Sequence, residues 1–449
     1  MKTSSMPDGS SLSTGRYSHS IWRRFAAANG FLAHIVFLLV MICRVLPVYA
    51  NSVHITKIGE FSMPEERSYG QLTSMEFYNG MAIFTVDYNG VHIFQDDLTD
   101  TRLAYIYNDL THVGEEQPFR NPISAIVIDG KLYVGAYNDH LKPPDRLGSI
   151  TRYNIDDPTN PYMEKAWYEW GYSPVYLHYA GDGILQFTKS RMGHVAMDIS
   201  DPDNWEILSE VDYGPEDHFR YWVDDYPYTV LTHYEDDLVI LGDVGGVRFV
   251  DASDPNNLQK LGNITETQFG RPVWFYSTEV VDNLLFLGNP GPRDDGIMMS
   301  IWDISDIDNP VKLSDFAVDN SGTEKHAARW FQITEDKHYL FMGDGDYWWP
   351  EVNPIGYGIR VLDISDPTNP VEVEFHEIPD WYEPGLWTDK GCAFLHDGKL
   401  YVQPFDSDVE IYDVSYYTSG GVIPEPGTLL LASTGILGAF IAIRLRARK

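Results

Sequence analysis

The sequence predicts an all-β protein whose main domain is a seven-bladed β-propeller of four-stranded antiparallel blades. Three observations lead to this fold. A short motif recurs seven times with a mean spacing of 53 residues, a period typical of propeller repeats. Short apolar strands are separated by turns that contain Gly, Asp, Asn and Pro. The 3.6-residue periodicity of amphipathic helices is almost absent between the two ends of the chain.

The recurring motif is an alternating strand followed by a turn. Its clearest copy, residues 359–370, reads Ile-Arg-Val-Leu-Asp-Ile-Ser-Asp-Pro-Thr-Asn-Pro. In such a turn Pro fixes φ, while Asp and Asn side chains accept hydrogen bonds from nearby backbone amides. The residues that end the strand in the seven copies are Gln95, Asn154, Asp198, Asp251, Asp303, Asp363 and Asp413. The first copy, which ends at Gln95, is the most degenerate.

The other strands of each unit follow in a fixed order. An apolar first strand such as 123–128 precedes a tight turn at 129–130, and a second strand such as 132–134 follows it. The motif supplies the third strand, and a segment such as 370–375 supplies the fourth. Seven such units account for residues 51–418 as one propeller domain.

The two ends of the propeller complement each other. The seventh unit stops at Tyr416 and Tyr417 without a fourth strand, whereas residues 53–61 have the pattern of such a strand, like residues 310–316. We therefore expect the N-terminal segment to complete the seventh blade, which would close the ring and remove an exposed sheet edge.

Residues 1–50 have the composition of a secretory signal peptide. Arg23 and Arg24 precede an apolar run at 31–43, and a Val-x-Ala site ends at Ala50. This order predicts export and cleavage after Ala50, because the apolar run is shorter than the ~20 residues of a membrane-spanning helix. An uncleaved N-terminal anchor is the alternative.

The C-terminal region predicts a linker followed by a membrane anchor. Residues 419–426 contain the motif Pro424, Glu425 and Pro426, and residues 427–449 contain an apolar segment with a basic end. The basic residues are Arg444, Arg446, Arg448 and Lys449. Basic residues after an apolar segment are typical of a transmembrane helix with a cytoplasmic stop. The apolar segment is short for a ~30 Å hydrocarbon core, which favours a transient anchor.

The order of these C-terminal elements resembles the PEP-CTERM sorting signal, which occurs on exported proteins of Gram-negative bacteria. The resemblance implies recognition by an exosortase-type protease, transient anchoring in the membrane, and release to the cell surface or extracellular matrix. An ordinary tail anchor is the alternative. The repeated Asp-Ile-Ser-Asp-Pro-x-Asn-Pro motif resembles the LVIVD repeat of bacterial surface propellers, which implies a fold and a compartment rather than a chemistry.

The charge of the chain excludes several classes of protein. The sequence has 32 basic and 66 acidic residues, a net charge of −34. Residues 1–50 hold five basic and one acidic residue and residues 424–449 hold four and one, so residues 51–423 carry a net −41. Such a surface repels phosphate and excludes a nucleic-acid binder. A hydrophobic content of 43% excludes a disordered chain, and Cys392 alone in residues 51–423 excludes an internal disulfide.

Candidate binding residues come from the long links that one face of a propeller carries. Aromatic side chains there either stack on sugar rings or pack the links onto the disc; they are Trp222, Trp348, Trp349 and Trp387. Arginines recurring just before first strands, at the channel mouth, either bind an anionic ligand or pair with the surplus acids; they are Arg120, Arg271 and Arg329. Oxygen-bearing residues that end second strands are candidates for Ca²⁺, although no acidic loop of known type occurs; they are Asp87, Asp243, Asn289 and Asp344. No other cofactor is expected.

The sequence contains no hydrolase elbow, metalloprotease motif or phosphate-binding loop. It therefore favours a non-catalytic binding or adhesion module at the cell surface, with an extracellular polysaccharide or a surface protein as partner. The alternative is a propeller hydrolase or lyase that acts on an extracellular polymer, which for a glycosidase requires two carboxylates roughly 5–10 Å apart.

Overall fold

The computed structural model describes the chain from His54 to Ser419 with gaps, and these residues belong to the compact unit His54–Lys449. The described ranges are 54–63, 72–86, 90–106, 121–137, 147–170, 174–189, 193–213, 231–235, 237–243, 246–269, 275, 277–288, 296–318, 326, 328–344, 358–378, 393–403 and 408–419. The predicted signal peptide, PEP linker and transmembrane helix lie outside these ranges. No helix within them is long and apolar enough to cross a membrane.

The described residues form seven four-stranded antiparallel sheets, as the sequence predicts. Blade 1 comprises β2 (Leu72–Tyr78), β3 (Met81–Val86), β4 (Gly90–Gln95) and β5 (Arg102–Ile106). Blade 2 comprises β6 (Asn121–Ile128), β7 (Lys131–Tyr137), β8 (Leu147–Asn154) and β9 (Tyr162–Trp170). Blade 3 comprises β10 (Val175–Gly181), β11 (Ile184–Lys189), β12 (Gly193–Asp198) and β13 (Glu206–Asp212). Blade 4 comprises β14 (Leu231–Glu235), β15 (Leu238–Asp243), β16 (Gly246–Asp251) and β17 (Gln259–Thr265).

The last three blades follow the same order. Blade 5 comprises β18 (Ser277–Val281), β19 (Leu284–Gly288), β20 (Ile297–Asp303) and β21 (Val311–Ala317). Blade 6 comprises β22 (Ala328–Ile333), β23 (Tyr339–Asp344), β24 (Gly358–Asp363) and β25 (Val371–Glu377). Blade 7 comprises β26 (Ala393–His396), β27 (Lys399–Val402), β28 (Val409–Asp413) and the N-terminal strand β1 (Thr56–Phe61). Two single-turn helices are described, α1 (Glu266–Phe269) and α2 (Ser415–Thr418).

The N-terminal strand closes the ring, which confirms the prediction from the sequence. β1 pairs with β28 antiparallel, from Thr56 opposite Asp413 to Phe61 opposite Val409. Phe61 is fully buried and contacts Phe84 and Phe94 of blade 1. The fourth strand of blade 7 therefore also fills the layer between the last and first blades.

The repeated motif is explained by two successive turns that are closed by Asp side chains. In blade 6 Asp363 Oδ1 accepts a hydrogen bond from the Ser365 amide (3.0 Å), and Asp366 Oδ1 accepts one from the Thr368 amide (3.0 Å). The first of these bonds recurs in blades 3, 4, 5 and 7 at Asp198, Asp251, Asp303 and Asp413. An Asp carboxylate that accepts a backbone amide two residues on makes a turn without help from tertiary contacts. This local chemistry is why the motif can be recognised in the sequence.

The hydrophobic core consists of apolar layers between neighbouring blades. All six residues of β3 are buried, because the adjacent blades cover both faces of the sheet. Ile83 belongs to the layer between blades 1 and 2, and its neighbour Phe84 belongs to the layer between blades 7 and 1. Strands covered on both faces are continuously apolar instead of alternating.

The antiparallel order of the strands assigns every link to one of two faces. Links between first and second strands and between third and fourth strands share one face, which we call the short-turn face. Its links include the turns Asn79-Gly80 and Asp129-Gly130 and the Asp-closed turns of the motif. Links between second and third strands and between blades share the opposite face, the long-link face, and most of them lie outside the described residues.

Candidate functional site

Most of the residues proposed from the sequence lie outside the described part of the chain. These are Ala50, Asp87, Arg120, Trp222, Arg271, Asn289, Trp348, Trp349, Trp387, Pro424, Glu425, Pro426, Arg444, Arg446, Arg448 and Lys449. Arg329 lies within β22 and not before it, because pairing with β23 already begins at Ala328 opposite Asp344.

In each blade the pairing of the first two strands places one residue of the first strand at an equivalent height along the propeller axis. In every blade this residue pairs with the third residue of the second strand. We call these residues the axial ring; they are Glu76, Ile126, His178, His233, Glu279, Gln332 and Phe394. The ring is polar through blades 3 to 6 and apolar at blades 2 and 7.

Several polar side chains of the first strands hold neighbouring blades together. Gln332 of the axial ring accepts a hydrogen bond from the Leu395 amide of blade 7 (2.9 Å). Ser74 accepts one from the Ala125 amide of blade 2 (2.9 Å), and Ser124 does the same for the next blade. A hydroxyl or amide that bonds a backbone amide across a blade interface fixes the rotation of one blade against the next. These polar groups are therefore structural.

A different arrangement occurs between blades 4 and 5, where one histidine lies between two glutamates. His233 Nδ1 is 3.4 Å from a carboxyl oxygen of Glu279, and His233 Nε2 is 3.9 Å from one of Glu235. The side chain of Glu279 is 24% exposed and that of His233 is 19% exposed. Both side chains are therefore largely buried, and we call the three residues the Glu-His-Glu cluster.

Burial sets the protonation of the Glu-His-Glu cluster. Loss of hydration, together with the nearby charge of Glu235, raises the pKa of Glu279 to about 8. Loss of hydration, together with His178, lowers the pKa of His233 to about 4. At neutral pH a protonated carboxyl group therefore faces a neutral imidazole. A neutral carboxylic acid at neutral pH is chemically a proton donor.

The long-link end of blade 6 holds a buried ion pair at one of the residues proposed for Ca²⁺. Asp344 is fully buried, and its Oδ2 accepts hydrogen bonds from Arg360 Nε (2.8 Å) and contacts His326 Nδ1 (2.7 Å). Arg360 also bonds Glu372 and stacks over Phe375 at 4.5 Å. The guanidinium thus already supplies a positive charge to Asp344. Among the described residues no group of three or more His, Cys, Asp or Glu side chains is arranged to hold a metal ion.

The sequence carries a signal for the level at which His233 and Glu279 lie. His233 and Glu279 each stand two residues before the last residue of a first strand, so aligning first strands on their tight turns brings them to one level. Histidines recur near the ends of first strands at 178, 233 and 396, but His396 lies at the turn itself and only His178 and His233 are equivalent. The partner glutamate could not be found by looking for repeated histidines.

The C-terminus of the chain matches a known sorting signal. A family model described as the PEP-CTERM protein-sorting motif matches residues 422–449. This motif is a signal that exosortase recognises, and it indicates export and sorting to the bacterial surface. The match confirms the resemblance seen in the sequence, and it covers the tail and not the propeller.

Comparisons with solved structures bear on the propeller. A chain in the crystal structure of the Mitotic Checkpoint Complex is similar at a TM-score of 0.53 and 11% identity, over 81% of this chain and 96% of that one. The structure of Saccharomyces cerevisiae Sqt1 is similar at a TM-score of 0.51 and 10% identity, over 80% of this chain and 85% of that one. At these identities the likeness concerns the fold alone. No curated protein matches the sequence.

Proposed function

We propose that this protein is a non-catalytic binding or adhesion module of the bacterial surface whose partner is an extracellular polysaccharide. The observation that carries the proposal is the joining of a PEP-CTERM sorting motif to a single closed propeller. The motif brings the chain to the outside of the cell. The propeller supplies a rigid scaffold with many links on one face, and binding residues are concentrated on such links.

The polar chemistry near the axis supports binding over catalysis. Gln332 and Ser74 are occupied by backbone amides of neighbouring blades, and Asp344 is occupied by Arg360. A net charge of −41 over residues 51–423 disfavours acidic polymers and favours neutral glycans or a cationic protein. Trp222, Trp348, Trp349 and Trp387 stay candidates for stacking on sugar rings, and Arg120, Arg271 and Arg329 stay candidates for an anionic group.

The route to the surface is part of the proposal. A signal peptide ending at Ala50 directs export, and residues 427–449 hold the chain in the membrane until an exosortase-type protease removes them. The host is a Gram-negative bacterium, and the propeller belongs with the LVIVD-repeat surface proteins. The composition of the two termini and the Asp-Pro-x-Asn-Pro repeats support these points.

A glycan array tests the function directly. The full chain, purified in detergent, is applied to neutral and acidic glycans with and without Ca²⁺. Retention on at least one polysaccharide is the expected result, and absence of binding under both conditions overturns the polysaccharide proposal. Mass spectrometry of the exported protein tests the sorting route, since a surface form that still ends at Lys449 contradicts tail removal.

The alternative function, a hydrolase or lyase acting on an extracellular polymer, is favoured by one observation. The Glu-His-Glu cluster contains a protonated Glu279 and a second carboxylate, Glu235, on the other side of the same imidazole. A protonated acid together with a second carboxylate is the pair of groups that a glycosidase uses. Release of soluble oligosaccharides from a bound polymer, abolished by Glu279→Gln, would establish this alternative; binding without release supports the module.

A further inference from the structure

A cleft opens on the short-turn face between blades 1 and 2. It has a volume of about 530 Å³ and lies between the tight turn of blade 1 and the Asp-closed turn of blade 2. Tyr78, Asn79 and Gln95 line it from blade 1, while Ile155 and Pro158 line it from blade 2. All of these residues are described, and the cleft is separate from the Glu-His-Glu cluster.

Two of the lining residues depart from the repeat. The tight turn of blade 1 begins with Asn79, whereas the corresponding turns begin with Asp129, Asp182, Asp236, Asp282 and Asp397. The third strand of blade 1 ends with Gln95, whereas five other blades have Asp and blade 2 has Asn at that position. Asn79 replaces an aspartate by a neutral amide. Gln95 replaces a shorter Asp or Asn side chain by a longer neutral amide, and both residues line the same cleft.

The departure at Gln95 releases a side chain that the other blades use for the turn. In blade 5 the equivalent carboxylate of Asp303 accepts a hydrogen bond from the Ser305 amide (2.9 Å). The Gln95 side chain is one methylene longer than that of Asn. Its carboxamide group forms no hydrogen bond with another described residue. In blade 1 the backbone amide of Gln95 donates to the Thr101 carbonyl (2.9 Å), and Asp97 closes the turn by accepting a hydrogen bond from the Thr99 amide (3.1 Å).

The cleft therefore presents three neutral polar groups without protein partners among the described residues: the Tyr78 hydroxyl and the amides of Asn79 and Gln95. A primary amide donates and accepts at the same time, as a hydroxyl does. Two amides and a phenol in one concave site can therefore pair with the vicinal hydroxyls of a sugar. Asn79 has φ 47°, close to that of Asp129, so the turn geometry is the ordinary one.

Apart from Asp156 and the glycines of the two tight turns, the remaining lining is apolar. Ile155 is almost fully buried, and Tyr78 packs against the same layer of side chains between blades 1 and 2. Leu103 and Pro158 complete the apolar part of the wall. A cleft that combines polar groups with an apolar wall suits a ligand that has both a C–H face and hydroxyls.

The charge around the cleft selects against anions. Asp156 lies in its wall, and hydrogen bonds from Asn154 and Lys131 lower the pKa of its carboxyl group, so it is ionised at neutral pH. Asp96, Asp97 and Asp157 follow in the adjoining turns. A phosphate or uronate would be repelled here, whereas a neutral sugar is not.

We propose that this cleft is a binding site for a neutral saccharide. The inference rests on the proposed function, in which the partner is a polysaccharide, and it places one binding site on the short-turn face and not on the long links. It also gives a reason for the degenerate first copy of the repeat, because the residues that depart from the repeat are those that face the ligand.

Variants that restore the repeat test the site. Asn79→Asp/Gln95→Asp installs the residues that other blades carry at these positions, so the fold tolerates them. The matched control is Asn256→Asp/Asn283→Asp, which adds the same two charges to blades 4 and 5 of the same face, also at positions where other blades carry Asp. Each full-length variant is titrated with laminarin, dextran and galactomannan as neutral probes and with alginate as an acidic probe, and its thermal unfolding is recorded.

The expected result is that the unsubstituted protein binds a neutral probe, that Asn79→Asp/Gln95→Asp binds it at least about tenfold more weakly, and that the control binds it unchanged. Each substitution replaces an N–H donor by a carboxylate, so two hydrogen bonds to the sugar are lost. That loss is sufficient for a tenfold weaker affinity. If all three proteins bind equally, or if both variants weaken equally, the cleft is not the site although the proposed function stands. If the unsubstituted protein binds alginate alone, a neutral-saccharide site is excluded. If it binds no probe, the proposed function fails together with the inference.

Discussion

His54 stacks face to face on Tyr416, with ring centroids 3.7 Å apart, so the residue just before the first strand lies directly on the segment that follows the last strand. The two chain segments that meet in this contact are both bound to one carboxylate of blade 6. The His54 amide donates to Glu374 (3.1 Å), and the hydroxyl of the buried Tyr417 donates to the same side chain. The closure of the ring therefore uses side chains from three segments in addition to the pairing of β1 with β28.

Removing this shared acceptor should weaken the closure. Glu374→Ala leaves the His54 amide and the Tyr417 hydroxyl without their partner, and we expect the free energy of unfolding to fall by about 1–3 kcal/mol. Chemical denaturation followed by tryptophan fluorescence measures the change. Glu377→Ala, at an exposed position of the same strand, is the control. Equal effects of the two substitutions would show that Glu374 has no special role in closure.

The buried ion pair of blade 6 gives a second prediction. Asp344→Leu leaves the largely buried Arg360 without one of its two carboxylates, and Arg360→Met leaves the buried Asp344 with His326 as its partner and no guanidinium, so each should cost about 3–5 kcal/mol. The double variant removes both charges, and we expect it to recover most of that loss, because buried pairs often cost as much in hydration as they return. Denaturant unfolding of the four proteins forms the cycle. Additive losses in the double variant would contradict a direct coupling of the two charges.

The blade count and the ring closure could be predicted from the sequence because their determinants are local. The turn at Asp363 and Asp366 is closed by amides two residues away, so the same letters produce the same turn in every blade. Counting the strands of each unit shows that the fourth strand is missing after Tyr417. The strand-like pattern at residues 53–61 then predicts which segment supplies it. Chain order alone then assigned the links to the two faces.

The candidate sites could not be predicted in the same way, because they join side chains from different blades. His233 and Glu279 are far apart in sequence and meet only because the first strands of blades 4 and 5, β14 and β18, lie side by side. The cleft between blades 1 and 2 depends on the Gln95 side chain, and only the structure shows that Asp97 and not Gln95 closes the turn of blade 1. The departure at Gln95 is visible in the sequence, whereas its proximity to Asn79 is visible only in the structure.

The Asp-closed turns predict how stability changes in acid. Hydrogen bonds from the Ser305 side chain and amide lower the pKa of Asp303, and the same holds at Asp198 and Asp251. A carboxyl group whose pKa is lower in the folded state stabilises it above the unfolded value of about 4, and this contribution is lost as the pH falls through the folded pKa. We expect stability to decline below about pH 4.

A substitution that keeps the turn but removes the charge isolates this contribution. Asn154 already closes the corresponding turn of blade 2 by accepting from the Asp156 amide (2.9 Å). Asp198→Asn/Asp251→Asn/Asp303→Asn should therefore fold, and its stability should decline less between pH 5 and pH 2.5 than that of the unsubstituted protein. Asp203→Asn/Asp308→Asn, which changes exposed carboxylates of the same turns, serves as control. A decline as steep as in the unsubstituted protein would contradict the assignment to the turns.

Glu279 should produce a pH dependence of the opposite sign. Its pKa is about 8 in the folded protein against about 4.3 in an unfolded chain, so its stabilising contribution is complete below pH 4 and is lost as the pH rises towards 8. Glu279→Gln mimics the protonated side chain at every pH. We therefore expect the variant to gain stability relative to the unsubstituted protein between pH 5 and pH 9, by on the order of 2 kcal/mol, since partial exposure reduces the full effect.

The pKa of His233 decides the pH range in which this measurement is made. Its pKa is lowered to about 4, so its own contribution is complete above about pH 6.5 and is lost as the pH falls towards 4. Urea unfolding at pH 7, 8 and 9 therefore changes the protonation of Glu279 while His233 stays neutral. The exposed Glu206→Gln is the control, and it should follow the unsubstituted protein. A stability difference between Glu279→Gln and the unsubstituted protein that is constant from pH 7 to pH 9 would mean that Glu279 is already ionised at pH 7. The Glu-His-Glu cluster would then contain no proton donor at neutral pH, which would remove the observation that favours a glycosidase.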